Sequence, residues 1–365
     1  MARRNTSTLP GTALRYDKLS NPAKVRHGIL RLLIFERSSM SAAHPAPCRG
    51  STKAERTPDS DGLLASQPLP SHITPLSLRV EESLLRSKKG CPTGGGDRII
   101  QGPRFVGILD AATEKFHQNW IVDNRSMNGE QAIATILHRA LEEEEGSIWD
   151  ALGRAQHELL LAARRSAIDL AVPGADPLAA FVVLDIREGK IFSLGDCSYG
   201  LLIPGEEFKP TCATKVVDNL AARARAEHIR RLSERNALNP TVDQGRAFIE
   251  EELKSAAALA NKNPDDVPPN EILFGRQKRF LVYHMFSATS VPVLEVTKLS
   301  HRHTGCVFAS DGYPLLFPTL QESEHYLHLS IAEDPSRTGE HPATKGVRPG
   351  NKSFDDRSFI RVSFT

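Results

Sequence analysis

Three stretches of this chain run next to a strand-like apolar segment and carry aspartate at its end, and that repeated design constrains the fold more than any bulk property. Val106-Gly-Ile-Leu-Asp110-Ala-Ala-Thr113 ends an apolar run in a carboxylate. Val307-Phe-Ala-Ser-Asp311-Gly312 repeats the pattern with glycine immediately after. Ser353-Phe-Asp355-Asp356-Arg357 places paired carboxylates just before the alternating run 358–364. An Asp at the tip of a buried strand is held rigidly and suits a metal ligand. Several of them brought together repel one another unless a cation neutralises them. All-oxygen ligation favours Mg²⁺ or Mn²⁺ over zinc. Taken singly, an Asp after a strand more often starts a turn or caps a helix.

Hydrophobic periodicity supplies the frame for these runs. Residues 128–145 and 147–171 carry apolar residues at helical spacing, and Pro173-Gly174 ends the pair. The segments 179–186, 190–195 and 199–203 read as consecutive antiparallel strands with short connections. Helices are expected over 215–235, 243–260 and 319–332, with a loop over 262–275. Strands are expected at 76–80, 280–286, 293–296, 306–310 and 358–364. Strands, a helix pair, strands, helices and strands again predict an α+β layered domain.

The first 74 residues have another texture. Residues 1–27 are rich in Arg, Lys, Ser and Thr, and 41–75 in Pro, Ser and Ala, with one apolar burst at Gly28–Phe35. This predicts a disordered or targeting extension, with a mitochondrial presequence as the alternative to a cytoplasmic protein. The chain of 365 residues has a formal net charge of only +2, too small to indicate nucleic acid as a partner, and no apolar run is long enough to cross a membrane. Its five cysteines form no CxxC pair, which fits a reducing, intracellular compartment and residues used as small buried apolar groups. Gly94-Gly-Gly96 lacks the Lys-Ser/Thr of a nucleotide-binding P-loop. The basic run Arg223–Arg231 reads as a solvated or partner-facing helix.

Read in order, Gly107-Ile-Leu-Asp110-Ala-Ala-Thr, Leu194-Gly-Asp196-Cys-Ser, Phe308-Ala-Ser-Asp311-Gly312 and Gly350-Asn-Lys-Ser-Phe-Asp355-Asp356-Arg357 resemble the successive motifs of the 2C-type metal-dependent protein phosphatases. The wording is closest to the branch that reads Asp-Gly-Ala-Thr and Ser-Phe-Asp-Asp-Arg. The resemblance covers about residues 75–365, with an insertion at about 204–300. It implies a layered β-sandwich flanked by helix pairs, two Mg²⁺ or Mn²⁺ ions, and hydrolysis of a phosphomonoester on a protein or small molecule by an activated water. By position it implies that Asp110 bridges the ions and the Ala111 carbonyl joins one of them. Asp311 and Asp355 would hold the other, and Asp97 matches the acidic first motif. Asp176 and Asp356 are additional candidate carboxylates, whereas Asp196 falls in a turn the family uses structurally.

The sequence departs from that pattern at three points. Ala111 stands where glycine is usual, and Gly96 where the first motif offers a glutamate, which predicts one lost water-mediated contact. The family's phosphate-binding arginine has no counterpart, leaving Lys88, Lys89 or Arg98 as replacements. His117, His138, His157 and His284 are too ordinary in context to be assigned as a general acid. Two other readings follow: a catalytically impaired member serving as a binding or regulatory module, and an unrelated α+β protein whose aspartates are turn residues.

Overall fold

In β3 (Phe105–Ala111) the side chains alternate between two separate cores, and this alternation sets the architecture. Phe105, Leu109 and Ala111 join one cluster, while Val106 and Ile108 join another. The structure is a computed structural model that describes residues 76–365 apart from 94, 114–116, 213–214 and 240–241. The extension 1–74, with its apolar burst and Cys48, lies outside the described residues.

In chain order, β1 (Leu78–Arg86), β2 (Arg98–Gln101), β3 and a small hairpin of β4 (Trp120–Val122) and β5 (Arg125–Met127) lead into α1 (Gly129–Glu142) and α2 (Ile148–Arg165). Then come β6 (Ala179–Asp185), β7 (Lys190–Leu194), β8 (Ser198–Leu202) and β9 (Pro210–Cys212). The insertion holds α3 (Val216–Glu234), α4 (Gln244–Phe248), α5 (Glu250–Ala257) and the short strands β10 (Ile272–Leu273) and β11 (Arg276–Gln277). The chain closes through β12 (Glu295–Lys298), β13 (Gly305–Ala309), α6 (Leu320–Glu333) and β14 (Arg357–Phe364).

Two antiparallel five-stranded sheets result, ordered β1-β14-β13-β8-β9 and β12-β7-β6-β3-β2. Their facing sides share one core: Val106, Ile108, Val182 and Leu184 from the second sheet meet Cys306, Phe308, Ile360 and Val362 from the first. The outer face of the second sheet packs Phe105, Leu109, Phe181 and Val183 against α1 and α2. The outer face of the first packs Val307, Ala309 and Phe359 against Leu327 of α6 and its flanking loops. The protein is therefore an α+β layered sandwich, as its periodicity predicts.

Local chemistry starts the helices where the structure places them. The Asn128 side chain accepts from the Gln131 N–H to begin α1, and Ser147 with Asp150 forms a reciprocal capping box on α2. Thr319 caps α6 in the same way.

Three expectations need correction. The strands 190–195 and 199–203 are not neighbours: β7 pairs with β6 and β12, whereas β8 pairs with β13 and β9. The chain crosses between the sheets at Gly195–Cys197. The helix expected over 243–260 is broken at Ile249, where φ −97° and ψ +5° interrupt it. The run 280–286 forms a 3₁₀ turn at Lys278–Leu281 and isolated bridges at Tyr283 and Phe286, since no strand among the described residues offers it a continuous ladder. Cys197 and Cys306 are buried as small apolar groups, but Cys91 and Cys212 are exposed.

Phe308 is fully buried between the sheets. Phe308→Ala should cost about 3–5 kcal/mol of unfolding free energy, read from the urea midpoint and slope. A loss below about 1 kcal/mol would mean that the two faces do not share a core there.

Candidate functional site

Both sheets deliver aspartates to the same end of the sandwich. Asp110 is the penultimate residue of β3, on the inward side with Val106 and Ile108. Asp311 follows β13, and Asp355 precedes β14, the strand hydrogen-bonded to it. Gly312 makes the approach of these two turns possible: a Cβ there would lie 2.1 Å from the Asp356 carbonyl oxygen and 2.7 Å from Arg357 Cβ.

One cleft is lined by Asp110, Ala111, Asp311 and Asp355, with Asp176, Asp196, Asp218 and Asp356 also on its walls. Asp97 sits behind it, 2% exposed, beside Arg98 and Asp356. Burial and then the charges of Asp356, Asp355 and Asp311 push its pKa well above the ordinary carboxylate value. Burial and then Asp97, Asp196 and Asp355 do the same to Asp110. Asp311 stands among dense surroundings but opens to the solvent of the cleft; that environment and then Asp110 and Asp355 raise its pKa.

Two of the candidate carboxylates have structural duties. Asp176 accepts from the Ala288 and Thr289 N–H groups at 3.0 and 3.1 Å and from the Thr289 hydroxyl at 2.7 Å, which fastens the loop before β12. Asp356 accepts from the N–H groups of Lys88 at 2.7 Å and Gly96 at 3.0 Å, which anchors the glycine-rich loop. The candidate phosphate binders lie elsewhere as well. Lys88 and Lys89 do not line the cleft. Arg98 donates to the carbonyls of Gly95 at 2.7 Å and Asp97 at 2.6 Å, so its guanidinium serves the loop.

The cations on the cleft are Lys215, Arg246 and Lys345. Lys215 Nζ lies 2.7 Å from Asp196 and 3.5 Å from Asp218. Burial opposes its charge, but Asp196 and Asp218 outweigh that and raise its pKa. Lys345 Nζ lies 2.6 Å from Asp355 Oδ1 and 3.4 Å from the Thr113 hydroxyl. Burial again opposes the ammonium, yet Asp355 and Asp311 hold its pKa up at about 12. Sequence reasoning missed these three because each stands in a loop or at a helix with no local pattern that marks it as facing the aspartates.

It also missed Glu130. This residue lies in the first turn of α1 and lines the cleft. A Cβ on Gly96 would lie 2.8 Å from Glu130 Oε1 and 2.8 Å from the Ala111 carbonyl oxygen. A carboxylate from another element thus fills the space left by the absent side chain. The basic run 223–231 departs from expectation too. Arg225 is 2% exposed, bonded to both oxygens of Asp243 and to the Ser336, Arg337 and Ala343 carbonyls. Arg230 and Arg231 remain on the surface with Glu227.

A pair of hard cations fits this donor set in type and charge. Asp97 Oδ2 is buried without a hydrogen-bond partner. Among the described residues, the Asp110 and Asp311 carboxylates have no ion-paired or hydrogen-bonded partner. No group of three or more His, Cys, Asp or Glu among the described residues is already drawn together around one point.

No family model and no curated protein matches the sequence. Solved structures of phosphatases are among those that match. They include the catalytic domain of the serine/threonine phosphatase PstP in complex with two manganese ions, at 15% identity over 79% of this chain and 100% of that one, TM-score 0.37. The phosphatase Stp1 from Staphylococcus aureus matches at 11% identity over 81% and 100%, TM-score 0.41. The PP2C phosphatase domain of SpoIIE from Bacillus subtilis matches at 10% identity over 80% and 64%, TM-score 0.34. Likeness at this level assigns neither metal content nor activity.

Carboxyls with raised pKa make the folded state bind more protons than the unfolded chain. Stability of the metal-free protein should be fully favoured below the ordinary carboxylate range and fall as pH rises through the raised values. Asp110→Asn should flatten this fall and raise stability at neutral pH by about 0.5–2 kcal/mol, measured by denaturant titration in EDTA at several pH values. A variant less stable than the wild type at neutral pH would contradict the repulsion.

Proposed function

We propose that the chain is a metal-dependent phosphomonoester hydrolase of the 2C phosphatase type, acting on a phosphorylated protein or small molecule. The observation that carries this reading is the arrival of Asp110, Asp311 and Asp355 from separate strands at one cleft, two of them without a hydrogen-bonded or ion-paired partner among the described residues. Asp97, Asp110, Asp311, Asp355 and the Ala111 carbonyl are the groups that would hold Mg²⁺ or Mn²⁺. Bound there, a pair of such ions supplies a water of lowered pKa and neutralises charge on the phosphoryl oxygens.

The chain's own residues do the positioning. Asp356 keeps the glycine-rich loop, and with it Asp97, against the turn that carries Asp355. Glu130 takes the role of the carboxylate that Gly96 lacks, close to the Ala111 oxygen. Arg246 and Lys345 place positive charge beside the aspartates, where a phosphate dianion would enter. No histidine lines the cleft among the described residues, so no imidazole is assigned to protonate the leaving group.

Hydrolysis of p-nitrophenyl phosphate by the full chain should depend on Mn²⁺ and fall by about 100-fold or more in Asp110→Ala and in Asp311→Ala. Turnover that persists in EDTA, or that survives Asp110→Ala, would defeat the proposal. Glu130→Gln should weaken Mn²⁺ binding by about 10-fold in calorimetry, and an unchanged isotherm would remove Glu130 from the site.

A further inference from the structure

We propose that Lys345 is a built-in counter-ion for Asp355 that competes with a divalent cation for that carboxylate, so that the cleft takes its ions in two unequal steps. The inference rests on the cleft being a cation site, as read above, and adds an order of filling set by this chain's own side chains.

The two halves of the cleft differ. Asp110 carries no partner among the described residues and is open to an incoming ion. Asp355 is already engaged: its Oδ1 accepts from Lys345 Nζ at 2.6 Å and from the Asp356 N–H at 2.9 Å. An ion that takes this oxygen must displace the ammonium, because two cations sharing one carboxylate oxygen at that distance repel strongly.

The backbone beneath Lys345 is held from several sides, which leaves the side chain as the moving part. Arg225 donates to the carbonyls of Ser336, Arg337 and Ala343. The Gly346 N–H donates to Asp243 at 3.1 Å, and Arg246 donates to the Thr344 carbonyl at 3.3 Å. The lysine stem has four flexible carbons and a compact charge, so it swings off Asp355 without moving the loop. The Thr113 hydroxyl, 3.4 Å from Nζ, already shares the ammonium within the same cleft.

Titration calorimetry of the full chain with MnCl₂ tests this. The wild type should show one stronger and one weaker event. Lys345→Gln should tighten the weaker event by about 10-fold or more, while Lys345→Arg, which keeps the charge, should stay near the wild type. An unchanged or weaker second event in Lys345→Gln overturns the competition. If Mn²⁺ binding is seen and is lost in Asp110→Asn while Lys345→Gln changes nothing, only the lysine inference falls. If Mn²⁺ binds neither the wild type nor Lys345→Gln, the metal reading falls and takes the inference with it.

A second measurement needs no variant. Mn²⁺ should increase acylation of Lys345 by an amine-reactive ester, quantified by mass spectrometry of its peptide. Unchanged or reduced labelling in saturating Mn²⁺ overturns the proposal.

Discussion

Like charges crowded into one end of a two-sheet sandwich set the terms for this molecule. Burial first, and then the charges of neighbouring aspartates, raise the pKa of Asp97, Asp110 and Asp311. The sheets that carry them cannot splay to relieve this, because Ile108, Phe308 and Ile360 lock the shared core. Repulsion must then be met by protons, by ions or by lysines. The structure shows the last of these as ion pairs at Asp196 and Asp355, while Asp110 and Asp311 have no ion pair among the described residues.

Much of the frame is legible in the sequence because it is written in short periods. The alternation in 105–111 and 357–364 and the helical spacing in 129–142 are local signals, and they match the elements found. The break at Ile249 is not legible, since neither Pro nor Gly marks it. The apolar run 280–286 reads as a strand but makes only isolated bridges among the described residues, and Phe280 is 66% exposed. Periodicity describes a segment's faces; it does not supply the neighbour against which a strand must pair.

The cleft divides along the same line. Aspartates at strand tips stand out by pattern and are found on a common wall. Their partners do not stand out. Lys215, Arg246 and Lys345 sit in unremarkable sequence and reach the cleft only through the folding of the insertion and the loop before β14. Gly96 looks like a loss when read alone, but Glu130 occupies the space beside it. Asp176 and Asp356 look like spare ligands, yet backbone N–H groups claim their oxygens. Residue identity reveals what a side chain offers, while tertiary contacts decide what it has left over.

The buried Arg225–Asp243 pair adds a dependence that the layout of the sheets would not suggest. It sits inside an insertion remote in sequence from Asp110, Asp311 and Asp355, yet its guanidinium grips the chain from Ser336 to Ala343. Loosening that grip would free the backbone from which Lys345 reaches Asp355. The insertion thus behaves as a tensioner on the loop that carries Lys345, and a distortion of α3 would be transmitted to the charges lining the cleft.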